Sequence, residues 1–377
     1  MDGFKTKEKS SVKKGFLILT VTLCLSVILS GCAYKDIDKR FFVVSIGIDE
    51  GKEDENKVEL SLKFAIPQGS KDGESDFLIV TEEADTIAEA VRLIKSDVDK
   101  ELDFAHAKLI VFGEEFATNK EKFIDYIDFF LRRRDVQKIA WVGIGKPNAK
   151  DVLNIKPKAE RLPSNTLFLS FGEIGSESIY THSKYLFELK RDLESEGVSA
   201  YIPMIEAKEK EQRFEINTIS VLDKNEGELV SLSRNQTMIF NMLQEQRKSF
   251  VEIKKDGEKD IVSVEVINVN YDFDLNKDPK KIQLTMTVRG ILEESHQNLS
   301  KEEREKIGSE HLKNELKTLL VKLQKEKVDP MGFGLHYRAL NTGDEEEKIE
   351  KWKKIYPELE FDITVNLDVM GTGTIEG

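Results

Sequence analysis

Apolar and polar positions along this chain follow two periods, one of strands and one of helices. Phe41-Phe-Val-Val-Ser-Ile-Gly-Ile-Asp49 is nearly continuous in apolar residues and predicts a buried strand. Lys57-Val-Glu-Leu-Ser-Leu-Lys-Phe-Ala-Ile66 alternates and predicts a strand with one face in water. The acidic stretch 49–56 between them reads as a hairpin loop. Thr86 and Glu89 have capping-box spacing and open a helix with Ile87, Val91, Ile94 and Val98 on one stripe. A strand at 107–112, a helix with Phe123, Ile124, Ile127, Phe130 and Leu131 inward, and a strand at 139–144 follow.

Lys156-Pro-Lys-Ala-Glu-Arg-Leu-Pro-Ser164 reads as a subdomain break, 178–195 as helical, and charged Glu206 to Glu211 as the linker to the second half. That half predicts a strand at 214–222, a short helix at 235–245, and strands at 249–254, 261–273 and 282–291. A long helix opens at Ser300 with Glu303 in capping-box register and carries Leu312, Leu316, Leu319, Leu320 and Leu323 on one stripe. Pro330 stops it, with Asp329 biased out of helical geometry. A helix at 345–355 and a strand at 359–370 close the chain. The fold class expected is α+β and multi-domain, with mixed and antiparallel sheets and packed helices. Its regions are an N-terminal α/β region over 32–205 and a C-terminal α+β domain over 206–377 containing a long helix, 300–327.

The N-terminus follows neither pattern. A lysine-rich stretch precedes the apolar run 16–28, too short to span a membrane comfortably but in proportion for a secretory signal. Leu29-Ser30-Gly31-Cys32 then resembles the bacterial lipobox, which implies cleavage before Cys32 and a diacylglyceryl plus N-acyl lipid on its sulfur and amine. Residues 1–31 are the expected signal peptide. Five lysines there against Asp2 and Glu8 give +3, so the remainder of a chain with net charge −13 carries −16. An acidic body is repelled by anionic lipid and by phosphate, so neither nucleic acid nor an electrostatic membrane tether fits. The two cysteines, Cys24 and Cys32, both lie in this region, leaving no thiolate chemistry or disulfide framework beyond it.

With 34% charged residues, paired carboxylates arise freely, and no catalytic constellation stands out. His106, His182, His296, His311 and His336 lack metal-ligand spacing. Gly143-Ile-Gly145 follows a strand as in a dinucleotide fold, but Asn148 replaces the third glycine and Pro147 falls where the helix should begin. Asp272-Phe-Asp-Leu-Asn-Lys-Asp278 opens like a calcium loop, yet Lys277 holds the glycine position and Gln283 the closing glutamate position. It reads as a loop between strands. Arg132-Arg-Arg134 ends a helix, where cations suit the macrodipole, and could also meet lipid phosphate or an acidic partner.

Three segments together resemble the Ger(x)C family, the lipoprotein C subunits of spore germinant receptors. They are Asp38-Lys-Arg-Phe-Phe-Val-Val-Ser-Ile-Gly-Ile-Asp49 after the lipobox, Thr86 to Ala90 followed by Ala105-His-Ala-Lys-Leu-Ile-Val-Phe-Gly113, and Val328-Asp-Pro-Met-Gly-Phe-Gly334. The last is similar to a D-P-x-G-F-G signature. Tyr34 and Lys35 depart from the Trp-Asp common after the lipidated cysteine. The resemblance implies a non-catalytic, membrane-tethered subunit on the outer surface of the inner spore membrane, acting with receptor A and B subunits and needed for spore germination, with no further cofactor. The stretch Asp329, Pro330, Gly332, Phe333, Gly334 reads as a tight turn, with Phe333 either packed inside or presented to a partner. The alternative is a substrate-binding lipoprotein of a transport system, which needs two lobes with parallel sheets and hinge strands. An envelope hydrolase is weaker, for want of a polar constellation.

Overall fold

A computed structural model describes residues 19–20, 39–52, 54–66, 77–157, 170–171, 178–223, 227–244, 249–254, 261–275, 280–295 and 299–371. Met1–Arg40 and Phe41–Gly377 are two units, and the account below concerns the second.

The chain first builds β1 (Arg40–Glu50), β2 (Val58–Ala65), β3 (Phe77–Ala84), α1 (Ile87–Asp97), β4 (Glu101–Asp103), β5 (Leu109–Gly113), α2 (Glu114–Thr118), α3 (Lys120–Arg132), β6 (Trp141–Lys146) and α4 (Ala149–Asn154). It continues through α5 (Leu186–Glu194), β7 (Tyr201–Lys208), β8 (Arg213–Leu222) and β9 (Leu229–Ser231). These strands form one sheet in the order β3-β2-β1-β5-β6-β7-β8-β9, with β4 also paired to β1. Its centre, β1-β5-β6-β7, is parallel, and antiparallel strands flank it on both sides. Central parallel strands are covered on both faces. Ile46, Ile48, Leu60, Leu62, Phe112 and Ile144 pack with Ile94, Phe123 and Ile127 on one face. Leu109, Val111 and Ile205 pack with Val152 and Leu153 of α4 on the other.

The second sheet follows α6 (Arg234–Gln244). It comprises β10 (Ser249–Lys254), β11 (Ile261–Asp274) and β12 (Lys281–Ser295), all antiparallel. After α7 (Lys301–Lys325), α8 (Phe333–Leu340) and α9 (Glu345–Ile355) comes β13 (Glu360–Val369), parallel to β12. The leucine stripe of α7 is fully buried against this sheet, and Ser300 and Glu303 form the expected capping box.

Three expectations need correction. Glu206 to Glu211 is not a linker: β7 and β8 pair across it as a hairpin, with Gln212 left-handed at the turn. Ile219 and Val221 of β8 belong to the second core, so one strand serves both halves. β2 has no solvated face, because α4 covers the side carrying Glu59, Ser61 and Lys63 and all three are buried. The helix expected over 178–195 is restricted to α5, and 178–184 is irregular, with a turn closed by Thr181 N donating to Ser178 O at 3.1 Å and with Thr181, His182 and Lys184 buried. The break at 156–164 lies mostly outside the described residues.

Candidate functional site

After α7 the chain reaches Val328 and then the D-P-x-G-F-G stretch, which is more than a turn: it is the N-terminus of α8. Gly332, at φ +76, is the N-cap residue, a conformation glycine reaches without the steric penalty of a Cβ. A helix N-terminus presents N–H groups without intrahelical acceptors. The Asp329 carboxylate takes them: Oδ1 accepts from Gly332 N at 2.9 Å and Phe333 N at 3.2 Å, and Oδ2 from Gly334 N at 2.7 Å. The Phe333 side chain points inward, edge-on to Phe273 with ring centroids 5.0 Å apart. It presents nothing to a partner.

The same turn is stapled to the first half. Asp329 N donates to Ser199 Oγ at 2.9 Å, and Ser199 N donates to Asp329 O at 2.8 Å. Leu335 N donates to Gly197 O at 2.8 Å, and Arg338 Nη1 to Glu196 O at 2.6 Å. Two backbones touch here. A Cβ on Gly197 would lie 2.7 Å from Gly334 C, and one on Gly334 would lie 2.7 Å from Trp352 Cδ1. Trp352 stacks on Tyr356, whose hydroxyl donates to Val328 O at 3.0 Å. A cavity of about 390 Å³ opens along the seam, lined by Val198, Ser199, Lys327, Asp329, Trp352 and Tyr356 among others.

Burial pushes the Asp329 carboxyl up to about 7, against the backbone N–H groups of residues 331–334 that favour its charge. Burial, and then the negative charge of Asp329, raise the Tyr271 and Tyr356 hydroxyls. With both oxygens of Asp329 already accepting backbone bonds, the group is arranged to hold a helix end against a loop.

A second buried aspartate repeats the device. Asp49, near the end of β1, accepts from Ala149 N at 2.7 Å and Lys150 N at 2.9 Å, filling the N-terminus of α4 with an internal carboxylate. Gly113 leaves room for it, since a Cβ there would collide with Asp49 Oδ1. Burial pushes Asp49 up to about 6. The Gly143–Gly145 strand end therefore leads to a helix after all, but its N-terminus holds a side chain where a dinucleotide fold would hold phosphate.

The other sequence candidates scatter. Cys32, Leu29, Ser30, Gly31 and His296 lie outside the described residues. His106 packs on Phe42, His182 pairs with Asn241 at 3.0 Å, and His336 packs on Phe273. Asp272 and Asp274 lie on β11, with Gln283 opposite Asp274 on β12; residues 276–279 lie outside the described residues. Among the described residues no group of three His, Cys, Asp or Glu could hold a metal, and no helix is long and apolar enough to cross a membrane. Sequence reasoning missed Gly197 and Ser199, which follow α5 in Glu196-Gly-Val-Ser199; a glycine just past a helix was the available signal. It also missed the buried Lys184–Asp192 pair, under the ring of Tyr201.

Comparison with known proteins places this geometry. Residues 33–207 match the family described as "Spore germination protein N-terminal domain", and 218–373 match "Spore germination B3/ GerAC like, C-terminal". The chain belongs to the Ger(x)C family of spore germination proteins. Spore germination protein KC of Bacillus subtilis (strain 168) is 24% identical over 404 residues, covering 94% of this chain and 96% of that protein. YfkR of the same organism is 20% identical over 378 residues, covering 93% and 95%. The crystal structure of the GerBC protein superposes with a TM-score of 0.54 at 19% identity, over 86% of this chain and 96% of that one, and so shares its fold.

Proposed function

We propose that this protein is the membrane-tethered, non-catalytic C subunit of a nutrient germinant receptor, anchored by lipid on Cys32 and acting beside A and B subunits in spore germination. The observation that carries the reading is the pair of spore-germination family matches running in order from residue 33 to residue 373. Two features of the chain support it. The lipobox Leu29-Ser-Gly-Cys32 supplies an attachment that an acidic body cannot obtain electrostatically, and two or more acyl chains hold where one would not. The two buried aspartates, Asp49 and Asp329, are both engaged in holding helix ends. Tethering confines the body to a thin layer over the membrane, where modest interfaces with membrane partners suffice. The transport-lipoprotein alternative needs parallel sheets in both lobes, whereas β10, β11 and β12 are antiparallel.

Cys32→Ala in an otherwise intact strain tests the reading. The altered protein is expected to leave the membrane fraction, and spores are expected to respond poorly to nutrients. Normal membrane association with a normal nutrient response would falsify the tethering account.

A further inference from the structure

β1, β5 and β6 run parallel with their starts at one edge of the first sheet, where Ser45, Leu109 and Trp141 lie in register. The chain enters the folded body at this edge, with Phe42 packed on His106 at 4.9 Å. The loop after α3 lies at the same edge. Gln137 Nε2 donates to Ala105 O at 2.7 Å, and Trp141 N donates to Lys108 O at 2.8 Å. The start of α5 joins them, Phe187 N donating to Lys138 O at 3.2 Å.

β4, paired to β1, brings the acids Glu101 and Asp103 to this edge, whereas the loop after α3 and the start of α5 bring cations and apolar groups. Arg132, Arg134 and Lys138 are exposed and make no salt bridge among the described residues, while the loop's one acid, Asp135, is paired with Arg133. Beside them Ile139 is 60% exposed and Phe187 42% exposed. Cations flanking an aliphatic and an aromatic side chain suit the interface of an anionic bilayer, where the charges meet headgroup phosphates and the apolar groups enter the acyl boundary.

Resting on the tethering reading above, we infer that this edge, centred on Arg132, Arg134, Lys138, Ile139 and Phe187, is the face the protein lays against an anionic phospholipid surface. Residues 33–40 span at most ~29 Å even when fully extended, so a lipid on Cys32 keeps the entry edge close to the headgroups. A body of charge −16 beside anionic lipid turns its cationic edge inward and its acidic faces away.

The absence of cysteine after Cys32 makes the test direct. Full-length lipidated protein carrying Ile139→Cys or Phe187→Cys is labelled with an environment-sensitive fluorophore in phosphatidylglycerol vesicles containing brominated lipid. Val321→Cys, an exposed position on α7, is the control. Labels at 139 and 187 are expected to be quenched at least about twofold more than at 321. Adding Arg134→Glu and Lys138→Glu is expected to bring 139 down to the control. Protein that floats with the vesicles but shows equal quenching at all three positions overturns the proposed face and leaves the tether standing. Protein that does not float, or whose Cys32 takes the label, overturns the tether and the face with it.

Discussion

Asp49 and Asp329 meet one physical requirement in two places: a helix N-terminus turned into the protein has donors and no water to receive them. Each carboxylate receives two or three backbone N–H groups, and each belongs to a short stretch that carried the family resemblance, Asp49 closing Gly47-Ile-Asp49 and Asp329 opening Asp329-Pro-Met-Gly-Phe-Gly334. Removing such an acceptor leaves buried donors unpaired, at a cost of about 3 kcal/mol for Asp329→Ala. Both groups also titrate. Burial raises them from 3.8 to about 6 and about 7, so over that interval the folded chain holds more protons than the unfolded one. The stability linked to them is therefore full below the unfolded value and is lost as pH rises through about 6 and about 7. In urea unfolding from about pH 5 to about pH 8, stability should fall, and Asp329→Asn, which cannot titrate, should fall less steeply. Equal slopes in the two proteins would remove this account of Asp329.

At the scale of elements, what was legible depended on length and on what lies above each face. The five leucines of α7 recur at helical spacing over several turns, and the capping residues before α1 and α7 stand at their expected offsets, so both helices could be read directly. α4 has six residues, too few for a period to show. α8 was hidden because Pro330, Gly332 and Gly334 read as punctuation, and only a buried carboxylate plus a glycine-to-glycine contact with Gly197 makes a helix there. β2 was read correctly as a strand but given the wrong surroundings. Alternation indicates two kinds of face, not that the polar one is wet. Under α4, Lys63 Nζ donates to Leu153 O at 2.7 Å and lies 3.7 Å over the Phe77 ring. Burial lowers it to about 7 from 10.5, so between those values the unfolded chain binds the extra proton and stability rises with pH. Lys63→Met should be as stable as the native chain or up to ~1 kcal/mol more stable near neutral pH, since a buried cation without a carboxylate carries its desolvation cost. It should also lose the rise in stability toward pH ~10. Denaturant titrations at the two pH values check both, and a loss of more than ~2 kcal/mol at neutral pH would contradict the account.

At the scale of the whole body, two sheets share one strand and one seam. β8 hydrogen-bonds within the first sheet while Ile219 and Val221 enter the second core, and the Asp329 turn is clasped by Gly197 and Ser199 from the other side. Neither half can then open without disturbing the other, which predicts a single cooperative transition. The chain holds two tryptophans, one in each half: Trp141 on β6 and Trp352 on α9. In Trp141→Phe the fluorescence reports the second half, and in Trp352→Phe it reports the first. Each variant's fluorescence midpoint in urea should coincide with its own far-UV circular dichroism midpoint, the mark of two-state behaviour. Gly197→Val should separate them. Its φ of +87 is strained for a β-branched residue, and its Cβ meets the Gly334 backbone, so the clasp opens while both cores keep their residues. The Trp352 signal should then shift to lower urea, with Trp141 following at a higher midpoint. Coincident transitions in Gly197→Val would mean that β8 alone couples the halves and that the clasp adds nothing to their cooperation.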